Sequence, residues 1–134
     1  MDSDQLKKLI PKDKFDFVPF PALMELNEKK VAPILPDLLF CVADMNWPIA
    51  AEMVKVLVRF PGSVVPLIKD ILKPTATDEE WKYFIISGLV PELPRSSQES
   101  LRTDINRILV NPTNGEVSSG VLDAAEDYIS SVEP

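Results

Sequence analysis

The sequence predicts an all-α fold, a fragment of α-solenoid in which antiparallel helix pairs stack with a right-handed superhelical turn. A four-residue phrase occurs twice, as Asp44-Met45-Asn46-Trp47 and as Asp78-Glu79-Glu80-Trp81, each an acidic turn ahead of a tryptophan that opens an apolar helix. The two tryptophans lie 34 residues apart, as do Leu67 and Leu101, and Ile71 and Ile105; a period in this range marks a helical repeat. Apolar residues otherwise recur at helical intervals, and nowhere do they alternate cleanly with polar ones as in a half-buried strand.

Each element follows from local signals. Residues 16–27 contain Pro19 and Pro21 and predict at most a short helix. Val31, Ile34, Leu35, Leu38 and Val42 keep helical spacing, while Pro33 and Pro36 imply a late start or a kink. Residues 49–60 are apolar on more than one side, which predicts a helix packed between neighbours, with Pro48 in its first turn. Pro61-Gly62 closes that helix, residues 63–72 form the next, and Lys73-Pro74-Thr75 ends it. Thr77 with Glu80, and Ser96 with Glu99, have capping-box spacing, so helices should begin near Asp78 and Ser97. Trp81, Phe84, Ile85, Ile86, Leu89 and Val90 make the first of these apolar nearly all round until Pro91 and Pro94 end it. Leu101, Ile105 and Ile108 mark the buried stripe of the second. In residues 121–132, Val121, Leu122, Ala125, Tyr128, Ile129 and Val132 share a face opposite Asp123, Glu126 and Asp127, an amphipathic outer helix. The pairs are then 31–42 with 49–60, and 63–72 with 81–90, with terminal helices as caps.

Composition sets the limits of function. With 134 residues and 46% hydrophobic content, residues 1–134 make a single helical-repeat domain that can bury a core without disulfide or metal. The lone Cys41 sits in an apolar run and reads as a core residue of a reducing compartment. The acidic opening, the lysines that interrupt residues 6–10 and the lack of any span-length apolar run point to a cytoplasmic protein with no membrane partner. The formal charge is −7, and residues 111–134 supply five of those charges through Glu116, Asp123, Glu126, Asp127 and Glu133, without a lysine or arginine. Such a chain repels phosphate backbones, so nucleic acid is not expected as a partner. The lysines at 7, 8, 12 and 14 stand among Asp2, Asp4 and Asp13 and read as a solvated face.

Catalysis meets a compositional obstacle, because the chain has no histidine, the commonest general base near neutral pH. No zinc-ligand spacing occurs, and the 4 glycines form no phosphate loop, so neither metal nor cofactor is expected. Asp44 and Asn46 read first as caps for the helix at Ile49, and Thr77 and Asp78 as caps for the helix at Trp81. The tryptophans read first as wedges between repeats. The functional alternative is that Trp47 and Trp81 line one edge of a concave groove, with Asp44, Asn46, Lys82 and Tyr83 beside them.

The phrase Asp44-Met45-Asn46-Trp47-Pro48-Ile49-Ala50, followed by Trp81-Lys82-Tyr83 and preceded by Leu9-Ile10-Pro11-Lys12-Asp13-Lys14, resembles a domain-of-unknown-function family with a HEAT-like helical fold. The resemblance covers roughly the first three quarters of the chain and fades after Arg95. It implies a fold but little function. The function expected is a non-catalytic interaction module, inhibitor-like or immunity-like, that binds a basic protein through the groove or through the acidic face of Asp123, Glu126 and Asp127, as a monomer or weak dimer. The alternatives are a small carboxylate-dependent enzyme, in the manner of HEAT-like DNA glycosylases that set tryptophans and an aspartate on a concave surface, and a helical domain with an apolar pocket for a small ligand.

Overall fold

A computed structural model describes residues 2–132; helices joined by turns are their regular structure, with no strand among the described residues. Asp2 opens α1 (Ser3–Lys7) by exchanging hydrogen bonds with Gln5. α2 (Phe20–Leu23) is the short helix that Pro19 and Pro21 allow. Asn27 caps α3 (Glu28–Val31) through the N–H of Lys30. A 3₁₀ turn over Ala32–Ile34 then leads into α4 (Leu35–Phe40). Pro33 and Pro36 each lack a donor, so residues 31–42 break into short pieces instead of one helix.

α5 (Ala50–Leu57) and α6 (Pro61–Ile71) follow. Pro61 is the first residue of α6, the position where its missing N–H costs nothing, and does not close the helix before it. α7 (Glu79–Phe84) continues as a π-helical segment, Ile85–Leu89, and a 3₁₀ turn, Val90–Glu92. Pro91 cannot donate to the carbonyl of Ser87, and the widened turn ahead of it accommodates that loss. Gly88 in this segment lies against Met45, whose side chain would be 3.1 Å from an added Cβ and would have to shift slightly to admit one. α8 (Arg95–Ser100) and α9 (Arg102–Val110) are separated at Leu101, and α10 (Asn114–Ser118) precedes α11 (Val121–Val132).

The caps agree with expectation only in part. Of the two residues expected to cap α7, Asp78 accepts the N–H of Trp81 and Thr77 does not. α8 begins at Arg95 after Pro94, with no side-chain cap, so Ser96 lies inside the helix. Asp44 does not reach α5; its Oδ1 accepts the N–H of Asn46 at 2.9 Å, and its carbonyl accepts that of Trp47, which folds residues 44–47 into a local turn.

One continuous cluster of buried apolar side chains runs from Leu6 to Tyr128. α4 packs on α5 and α6, and α6 on α8. α11 lies across α9 and the α7–π rod, so α7 packs mainly on α11 and not on α6 as the pairing above expects. Long-range hydrogen bonds join the elements: Ser63 donates to Glu28 and Arg107 to the Leu72 carbonyl across 35 residues, and Lys82 to Glu116 across 34.

Candidate functional site

The residues singled out as a groove divide among three places. Lys82 is fully buried, with no exposed side-chain surface. Its Nζ donates to Glu116 Oε2 at 2.9 Å and to the Lys73 carbonyl at 3.0 Å, and it stands 3.7 Å from Glu79 Oε1. Arg107 grips both oxygens of Glu116, Nη1 donating to Oε1 and Nη2 to Oε2 at 2.7 Å, and Nη2 also donates to the Leu72 carbonyl at 2.6 Å. Two cations thus sit against the carbonyls of Leu72 and Lys73, just past the C-terminus of α6, where the helix dipole favours positive charge. Glu116 also completes a capping box with Thr113 at the start of α10. Burial alone would push its carboxyl up; Arg107, the Thr113 N–H and Lys82 outweigh this and hold it down at about 2. Lys82 is therefore a structural ion-pair residue and not part of a groove, and Glu116 is not a free surface charge of the acidic tail.

Phe40, Ala43, Asp44, Trp47, Asp78 and Glu80 line a depression of about 220 Å³ at the end of α4, between the 44–47 turn and the first turn of α7. Phe40 is 51% exposed. Trp81 stands behind it, its ring edge-to-face with Phe40 at 5.3 Å and its indole N–H donated to the Leu39 carbonyl at 3.2 Å. The two repeated phrases therefore do meet, with Trp47 and Asp44 from one and Asp78 and Glu80 from the other. Asn46 is exposed and does not line the depression. Asp44 and Asp78 each commit Oδ1 to a backbone N–H, which fixes the carboxylates in place. Among the described residues, no lysine or arginine is ion-paired with Asp44, Asp78 or Glu80.

Tyr83 faces the other way, in a smaller depression of about 170 Å³ shared with Asp127 and Tyr128. Asp123, Glu126 and Asp127 are exposed on α11, and Val121, Ala125 and Tyr128 of the expected stripe are buried; Leu122 and Ile129 are half-buried, Val132 at the helix end is exposed, and Ala124, outside the stripe, is buried. Glu133 lies outside the described residues. Cys41 is buried; desolvation, and then Asp37, raise its thiol to about 11, so it stays protonated and unreactive near neutral pH. A larger cleft of about 530 Å³ near α1 is lined by Lys29 and Lys30 together with Asp2 and has no aromatic side chain.

Two participants escaped the sequence reading. Phe40 falls off the apolar stripe of residues 31–42, four residues before Asp44 of the acidic turn, which was the available signal. For Glu116 the signals were the capping-box spacing from Thr113 and its position 34 residues after Lys82.

No curated protein matches this chain. Residues 9–129 match the family described as Domain of unknown function (DUF5071), a match that continues well beyond Arg95 into α11, and the chain belongs to that family.

Proposed function

We propose that this domain is a non-catalytic protein-interaction module for a basic partner, built as a single HEAT-like fragment of α-solenoid with right-handed stacking. The observation that carries the reading is the depression at the end of α4, which gathers exposed Phe40 and half-buried Trp47 with three carboxylates. Aromatic side chains concentrate binding energy at interfaces, and the carboxylates supply complementarity to a basic surface. The −7 formal charge acts in the same direction by accelerating encounter with a cationic partner. The solenoid part of the reading is supported by the hydrogen bonds between residues 34 and 35 positions apart. A partner that is itself an enzyme would give the contact an inhibitory or immunity-like role in the cytoplasm, with the module acting as a monomer or weak dimer.

Affinity capture from native lysate, with the wild-type chain compared to Glu80→Lys and Trp47→Ala, tests the reading. Glu80 is exposed, so its reversal leaves the fold intact. The expected result is a basic protein held by the wild type and lost by both variants, with unchanged circular dichroism. A partner retained equally by both variants overturns the proposal.

A further inference from the structure

Resting on the interaction-module reading, we propose that the depression beside Trp47 is a subsite for one arginine side chain of the partner, its guanidinium lying against Phe40 and Trp47 and bonded to Asp44, Asp78 and Glu80.

Size limits the occupant first. The depression holds about 220 Å³, below the ~300–1,000 Å³ of pockets that enclose cofactors and drug-sized ligands. One side-chain headgroup fits that volume. The arrangement of the carboxylates then selects the kind of cation. Among the described residues, no three acidic, cysteine or histidine side chains converge closely enough to hold a metal ion. The three carboxylates line the depression beside two aromatic rings, an arrangement suited to an organic cation.

The backbone bonds of Asp44 and Asp78 occupy Oδ1 and leave Oδ2 available, so two acceptors are fixed before any partner arrives. Preorganised acceptors lose less entropy on binding. The aromatic rings separate arginine from lysine. A guanidinium is planar, weakly hydrated and able to stack on a ring while its edge bonds carboxylates, whereas an ammonium is a compact, strongly hydrated charge. Trp81 holds the Phe40 ring from behind and so keeps that surface in place.

The test is a titration of the full chain, followed by the Trp47 indole N–H resonance, with the blocked peptide (Gly-Arg)₃ and with (Gly-Lys)₃ of equal charge. The amides of α11 serve as a remote reference. Saturable shifts at Trp47 are expected with the arginine peptide, and binding on the order of tenfold weaker with the lysine peptide. The Asp44→Asn/Glu80→Gln double variant keeps the Asp44 turn and should weaken the arginine peptide on the order of tenfold. No shift at Trp47, equal affinity for both peptides, or an unaffected double variant overturns the proposal. The two readings separate cleanly. A partner lost from Trp47→Ala in the capture experiment, together with an arginine peptide that leaves Trp47 unmoved, removes only the arginine subsite. A partner indifferent to Trp47→Ala and Glu80→Lys removes the module reading itself.

Discussion

At the scale of single residues, the largest departure from solvent-exposed behaviour is the Lys82–Glu116–Arg107 cluster. Its members come from α7, α10 and α9, and it binds the Leu72 and Lys73 carbonyls just past α6, so it ties three helices to the end of a fourth. Glu116→Gln would leave two cations facing a neutral amide, and removing one partner of a buried pair costs roughly 3–5 kcal/mol. Urea unfolding with an unchanged m-value is the measurement, and a loss below about 1 kcal/mol would show the cluster to be dispensable. The same carboxyl sets an acid limb. Its folded value of about 2 lies below the ordinary 4.5, so the unfolded chain binds the extra proton between those values. The stabilisation is complete above the unfolded value and disappears as pH falls through the folded one. Wild-type stability should therefore drop between about pH 4.5 and 2, and Glu116→Gln should flatten that limb. Nothing in composition distinguishes these ions from surface ones, because a buried lysine and a solvated lysine are spelled alike. Only the tertiary arrangement that brings residues 82, 107 and 116 together removes them from water.

At the scale of elements, periodicity was legible and termini were not. The stripe of α11 and the break of residues 31–42 at its prolines follow from spacing and from a missing donor, both local properties. Cap assignment stayed open where two neighbouring residues could each serve: Thr77 and Asp78 differ by one position, and the entry angle of the chain decides between them. Asp78→Ala should therefore cost about 1 kcal/mol, and Asp78→Asn far less, because asparagine caps equally well. Thr77 is exposed and Thr77→Ala should stay within about 0.5 kcal/mol. Thermal melts of the three variants separate the assignments, and equal losses for both alanine variants would restore Thr77 as a cap. The candidate site shares this history. Both repeated phrases were visible, yet their meeting in one depression depends on α4 ending at Phe40 and on Met45 seating against Gly88. The diversion of Lys82 and Tyr83 to other faces follows from the helical rotation of α7, since residues 81, 82 and 83 point about 100° apart.

At the scale of the whole molecule, charge and shape combine. Glu116 is neutralised inside, so the acidic character of the C-terminal region that reaches water rests, within the described residues, on Asp123, Glu126 and Asp127 of α11. These three have no ion-pair partner among the described residues, and their inward neighbours Val121, Ala124, Ala125 and Tyr128 carry the packing. Reversing all three to lysine should therefore change stability by less than about 1 kcal/mol, because exposed charges contribute weakly. Association is where the change should register. The depression near Phe40 supplies short-range contacts, whereas a face of like charge acts at a distance of about 10 Å in 0.1 M salt. The triple reversal should slow association with a basic partner by on the order of tenfold or more at low ionic strength, and much less at high. The dissociation rate should hardly move, because the contacts at Phe40 and Trp47 are untouched. Stopped-flow association at several salt concentrations decides the point. An on-rate that ignores both the reversal and the salt assigns α11 to solubility alone and leaves recognition to the aromatic depression.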